Sequence, residues 1–85
     1  MAKYAIEVKP SAHKELEKLS DPIIGRLMAK LEGLAADPRP SGCKKLRGYK
    51  DLWRIRIGDY RVVYIIDDAQ KIVRITRVAH RSDVY

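Results

Sequence analysis

The residues best suited to chemistry in this chain are arginines, and they recur at a fixed spacing. The stretch Trp53-Arg54-Ile55-Arg56-Ile57-Gly58-Asp59-Tyr60-Arg61-Val62-Val63-Tyr64 alternates on both sides of Gly58-Asp59. Alternation of period two marks strands, and a Gly-Asp pair between two such runs marks a two-residue hairpin loop. That loop sets the register. Ile57 opposes Tyr60, Arg56 opposes Arg61, Ile55 opposes Val62 and Arg54 opposes Val63. Opposed residues share a face, as do residues two apart on one strand. Arg54, Arg56 and Arg61 therefore project from one side. Trp53, Ile55, Ile57, Tyr60, Val62, Tyr64 and Ile66 project from the other, which the rest of the chain must cover. Like charges placed directly opposite each other weaken a sheet, and local rules broken in this way tend to mark function. Guanidinium groups grip phosphate oxygens in pairs, so this face suits a phosphodiester. The plain structural alternative is a solvated face shielded by long side chains. Parity assigns Tyr60 and Tyr64 to the core, while Tyr85 is free to add stacking.

The elements that must position these side chains can be read along the chain. Tyr4–Val8 alternates as a strand, with Tyr4, Ile6 and Val8 on one side. Pro10 is expected to end it and Ser11 to cap a first helix, whose apolar positions are Ala12, Leu16 and Leu19. Ser20-Asp21-Pro22 reads as a second helix start, with proline at the first helical position. Ile23, Ile24, Leu27, Met28, Leu31, Leu34 and Ala35 then form a wide apolar stripe. Residues 37–51 read as a basic loop holding Arg39, Lys44, Lys45, Arg47 and Lys50. Strands follow at Leu52–Ile57, Tyr60–Ile66 and Ile72–Ala79. An even turn near Asp67–Gln70 would bring Arg74, Thr76 and His80 to the arginine face; an odd one would bring Arg77 instead. The expected fold is α+β: two N-terminal helices packed on one face of a small, mainly antiparallel sheet, in the order β-α-α-β-β-β.

Composition narrows the classes. A chain of 85 residues is expected to form one domain, residues 1–85. Its apolar runs are too short to span a bilayer, and Lys3, Glu7 and Lys9 leave no apolar segment of a secretory leader. One cysteine, Cys43, permits no internal disulfide and agrees with a reducing cytoplasm. No metal-ligand spacing is visible, so no cofactor is expected. Net charge is +7 and unevenly placed. Residues 1–38 hold six basic and six acidic residues, whereas residues 39–85 hold 12 basic and five acidic ones. The whole excess lies in the second half, which points to a polyanion or an acidic protein as partner.

Leu46-Arg47-Gly48, the hairpin sequence above, and Ala79-His80-Arg81-Ser82-Asp83-Val84-Tyr85 together resemble the RelE branch of the RelE/ParE toxin superfamily. The resemblance covers nearly the whole chain. It implies a cytoplasmic ribonuclease of a type II toxin–antitoxin pair, which enters the ribosomal A site, cuts messenger there and stops translation. It further implies a cognate antitoxin, with operator DNA reached through that antitoxin. Matched residue by residue, the family's basic cluster falls on Arg54, Arg56, Arg61 and Arg81, and its terminal tyrosine on Tyr85. His80 stands before Arg81, as in many members.

Cleavage of this kind uses the 2′-hydroxyl as nucleophile and needs no metal. It requires a base, charge stabilisation at phosphorus and an acid for the leaving 5′-oxygen. Arg61 is expected to hold the phosphate, and Arg54, Arg56, Lys44, Lys45 and Arg47 to grip RNA. Arg81 or His80 would face the leaving oxygen. Arginine does not give up its proton, so the base falls to Tyr85 or His80. The alternatives are a ParE-type toxin directed at DNA gyrase and a non-catalytic nucleic-acid-binding module.

Overall fold

A computed structural model describes residues 3–48 and 51–83. The elements are β1 (Ala5–Val8), α1 (Pro10–Glu17), α2 (Asp21–Ala36), β2 (Lys44–Lys45), β3 (Leu52–Ile57), β4 (Tyr60–Asp67) and β5 (Ile72–His80), followed by a 3-10 turn, Arg81–Asp83. The five strands form one sheet in the order β1-β5-β4-β3-β2. β1 runs parallel to β5 and every other pair is antiparallel. The α+β architecture expected from the sequence is therefore present, with both helices contributing to one apolar layer.

That layer is built from the periodicities of the two element types. Leu27, Leu31 and Leu34 recur on one face of α2, and Ala12 and Leu16 on one face of α1. They pack with Ile55, Ile57, Val62, Tyr64, Ile66, Val73, Ile75 and Val78 from the sheet. Tyr64 is wholly buried, and its hydroxyl donates to the Pro38 carbonyl at 2.8 Å. Burial, with Cys43 close by, pushes that phenol well above its ordinary range. It is a structural anchor for the loop after α2. The apolar stripe on α2 is narrower than its sequence suggests, because Met28 remains 39% exposed.

Both helix starts depart from expectation. Pro10 is the first residue of α1, and Lys9 stands at the N-cap with extended φ/ψ. Proline fits there, since a first-turn N–H has no helical partner anyway. Ser11 is thus inside the helix rather than capping it, and its Oγ donates instead to the Thr76 carbonyl at 2.9 Å. Ser20 does occupy the N-cap of α2 but makes no side-chain cap hydrogen bond, and Asp21 takes the first helical position, so Pro22 stands second rather than first. The segment read as a basic loop contains β2, which extends the sheet beyond β3.

The β3–β4 register agrees with the expected one at every pair, from Ile57↔Tyr60 through Arg56↔Arg61 to Arg54↔Val63. Gly58 takes φ +60°, the left-handed value that the first position of such a loop requires. The β4–β5 loop has four residues, 68–71, but the pairing shifts between Val63 and Tyr64. Arg74 opposes Ile65 below the shift, and Arg77 opposes Val63 above it. The bulge leaves Thr76 as the extra residue and inverts the parity of everything after it. Arg74 and Arg77 therefore share the arginine face, which neither expected alternative allowed. His80 opposes Tyr60 and belongs to the helix side, contrary to the expectation for an even turn.

Candidate nucleic-acid interface

The register arranges the open sheet face in rows. Nearest the hairpin loop, Arg56, Arg61 and Ala79 lie side by side across β3, β4 and β5. The next row runs Lys44, Arg54, Val63, Arg77 across β2 to β5. A third holds Leu52, Ile65, Arg74 and Glu7. Two adjoining rows are thus dominated by cations, and the third is apolar with a neutralised arginine.

Their electrostatic surroundings differ accordingly. Arg74 has Glu7 at 3.5 Å and Asp67 at 3.6 Å, and Arg77 has Glu15 at 3.1 Å. Among the described residues, Arg54, Arg56, Arg61 and Lys44 have no ion-pair partner. Directly opposed residues hold their Cβ atoms about 4.5–5.5 Å apart. Arg56 and Arg61 thus launch two guanidinium groups from neighbouring points, and Arg54 adds a third from the same strand. Arg56 is exposed, while Arg54 and Arg61 are half-buried. Such a cluster can bind a phosphate through several directed N–H groups at once.

The remaining expected residues fall at different places. Arg81 stands one residue beyond β5, and its backbone N–H donates to the Asp59 carbonyl at 2.7 Å. That bond fixes it at the hairpin end, where its exposed side chain lies 3.9 Å from the Asp59 carboxylate. His80 packs edge-on against Tyr60, with ring centroids 5.2 Å apart. Its Nδ1 accepts the Ser82 N–H at 3.2 Å and lies 2.8 Å from Ser82 Oγ. It lines a cleft of about 410 Å³ at the α1 edge of β5, with Glu15, Lys18, Leu19 and Tyr60 and with Arg77 and Ala79 from the end of β5. Lys45 opposes Trp53 and so belongs to the other side of the sheet, and Arg47 is exposed in the turn after β2. Tyr85, and with it Lys50 and Val84, lies outside the described residues. Among the described residues, no three of His, Cys, Asp and Glu converge as metal ligands, and no helix is long and apolar enough to cross a membrane.

Residues 6–85 match the family model described as the ParE toxin of the type II toxin–antitoxin system parDE. The chain belongs to the RelE/ParE superfamily of type II toxins. Within that superfamily its relatives are of the RelE type. Toxin RelG of Mycobacterium tuberculosis is 32% identical over 83 residues, covering 96% of this chain and 95% of that protein. Among solved structures, RelE in the archaeal RelE–RelB complex of Pyrococcus horikoshii superposes with a TM-score of 0.84. It is 28% identical, and the match covers 96% of this chain and 99% of that one. The intact RelBE complex of Escherichia coli gives 0.80 at 30% identity, covering 91% of this chain and 95% of that one. The RelE-type expectation drawn from the hairpin and C-terminal motifs agrees with these matches.

Two features of the RelE-type fold here had no sequence signal strong enough to find them. Lys44 joins the cationic face through a two-residue strand, too short for periodicity to reveal. Glu15 reaches β5 from α1, as described below.

Proposed function

We propose that this toxin is a ribosome-dependent endoribonuclease that cuts messenger in the A site. The observation that carries this reading is the set Arg54, Arg56, Arg61 and Lys44 on two adjoining rows of the open sheet face, without an ion-pair partner among the described residues. A protein under pressure for stability alone has reason to interleave these cations with carboxylates, as it does around Arg74. In this reading the 2′-hydroxyl attacks the adjacent phosphorus and the bond to the 5′-oxygen breaks, leaving a cyclic phosphate and a 5′-hydroxyl. Arg61, between Arg56 and Ala79, holds the non-bridging oxygens as charge builds on them. Arg54, Arg56 and Lys44 grip the flanking backbone. Tyr85 takes the proton from the 2′-hydroxyl, and Arg81 at the hairpin end stabilises the charge on the leaving 5′-oxygen, which takes its proton from water. His80, on the helix side with Nδ1 occupied, is the competing candidate for proton transfer. The ribosome supplies much of the alignment of the RNA.

The relatives solved as complexes with RelB support an antitoxin partner for this chain too. The positive half of the sequence favours an acidic, amphipathic segment that folds on the toxin as it binds, burying about 1,000–3,000 Å².

Primer extension on messenger in a translating extract tests the reading: cuts should appear at A-site codons and vanish with Arg61→Ala. The family model is described as the ParE toxin of parDE, and a ParE-type toxin directed at DNA gyrase is the second reading. A supercoiling assay inhibited by the protein, with no messenger cuts, would establish that reading instead.

A further inference from the structure

On one edge β5 loses its strand neighbour half-way along. β1 pairs with Ile72–Ile75 and ends at Val8, whereas β5 continues to His80. Backbone groups on that edge beyond Ile75 need other partners, and α1 provides them. Lys9 N–H donates to the Ile75 carbonyl at 2.9 Å and Ser11 Oγ to the Thr76 carbonyl at 2.9 Å. Glu15 Oε1 then accepts the Val78 N–H at 2.8 Å. The spacings suit one another. Four helical residues advance about 6 Å, close to the roughly 6.6 Å of two strand residues. Ser11 and Glu15 can therefore serve Thr76 and Val78 in turn, as a neighbouring strand would.

This clasp sits on the bulge. Successive carbonyls, those of Ile75 and Thr76, are both bound from the α1 side, which a bulge permits and a regular strand does not. On the opposite side Thr76 Oγ1 donates to the Val63 carbonyl at 3.0 Å. The bulge decides which way residues 77–80 face, and a slip of one residue would exchange the two faces. Glu15 has a second role through its other oxygen, which holds the Arg77 guanidinium at 3.1 Å.

We propose that Glu15 is a positioning residue of the RNA-cutting site: one carboxylate oxygen holds the bulged end of β5 that delivers Arg81, and the other keeps Arg77 out of the RNA-gripping set. The inference rests on the nuclease reading above, so its test has arms that do not depend on cutting. Hydrogen exchange reports the Val78 amide directly. Binding to a short single-stranded RNA blocked at the 2′-oxygen reports grip, and single-turnover cleavage on ribosomes reports alignment.

Glu15→Ala removes both roles. Val78 exchange should accelerate at least about tenfold as the strand end opens locally. Cleavage should slow about tenfold, less than the roughly 10²-fold that a 1 Å misplacement can cost. RNA affinity should not fall, because Arg77 is released to bind it. Glu15→Gln keeps an acceptor for Val78 but loses the charge and the second oxygen that holds Arg77. Cleavage and Val78 exchange should stay within about twofold of wild type, while the salt dependence of RNA binding steepens by about 0.7. If Glu15→Ala fails to fold, Ser11→Ala combined with Glu15→Gln weakens the clasp more gently and should show intermediate exchange and cutting. Wild-type cutting by a Glu15→Ala protein with fast Val78 exchange overturns the proposal, as does equal loss of cutting in Glu15→Gln and Glu15→Ala. A wild-type protein that never cuts messenger overturns the function proposed above instead, and Val78 exchange then still shows whether Glu15 holds the strand.

Discussion

At the far end of the open sheet face Arg74 lies between Glu7 and Asp67, and close by Arg39 forms a paired contact with Asp68 while its guanidinium lies 5.1 Å from the centre of the Trp53 ring. At the hairpin end Arg54, Arg56 and Arg61 share a face with one another and with Lys44, and no described carboxylate answers them. The residue type is the same and the environments are opposite. At the far end arginine ties strands and loops together: Asp68 also accepts the Tyr4 hydroxyl, so the β4–β5 loop is fastened to the start of β1. At the hairpin end the guanidinium groups have no ion-pair partner among the described residues, and the fold holds them near one another at some cost in repulsion. A cationic site is made as much by the carboxylates kept away from it as by the arginines placed in it.

The sharpest way to break this contrast is Arg61→Ala. It should lower single-turnover cleavage by about 10²-fold or more, the usual scale for losing a donor to a charged transition state, and weaken RNA binding as well. Arg74→Ala should leave both near wild type. Equal losses in the two variants, measured on ribosomes with defined messenger, would remove the distinction between the ends.

Tyr85→Phe separates proton transfer from grip. It should slow cleavage at least about tenfold, within the range for a lost acid or base, with ribosome binding unchanged. Wild-type cutting by Tyr85→Phe, together with loss of cutting in His80→Ala, would move proton transfer to His80.

Stability should respond in the opposite sense at the two ends. Arg56→Thr relieves a directly opposed like-charge pair and should stabilise the fold by up to about 1 kcal/mol, while reducing the salt slope of RNA binding by about 0.7. Arg74→Thr removes two partly exposed ion pairs and should destabilise it by about 0.2–1 kcal/mol, with the slope unchanged. Urea titrations of both variants, analysed at a common m-value, decide this.

The smallest effect concerns acid. Hydrogen bonds from Arg39 and then Tyr4 hold the Asp68 carboxyl down at about 2. A carboxyl lowered on folding stabilises the native state above its ordinary value near 3.9 and loses that contribution as pH falls through the folded value. The wild-type melting temperature should therefore approach that of Asp68→Asn between about pH 4 and pH 2. A difference that stays constant across that window would show that Asp68 is not the titrating group.

The sequence determined by itself whatever depends on near neighbours. Gly58-Asp59 closes a two-residue loop, and a two-residue loop leaves one register, so the shared face of Arg54, Arg56 and Arg61 was legible before any fold was known. The leucines of α2 at positions 27, 31 and 34 were legible for the same reason, since a helical period is a local property. What the tertiary structure decided lies where a backbone group finds its partner far along the chain. Ser11 looked like a cap because Ser at a helix start usually binds its own backbone, yet its hydroxyl goes to Thr76, 65 residues away. Lys44 and Lys45 carry no strand signal, and only the unfilled edge of β3 makes them a strand. Thr76 looked like one more alternating residue. Its place as the bulge follows from bonds to Ser11 and Val63, and with it the facing of Arg77 and His80. Alternation along a strand is a statement about successive residues, whereas an extra residue in one strand exists only relative to the partner that lacks it.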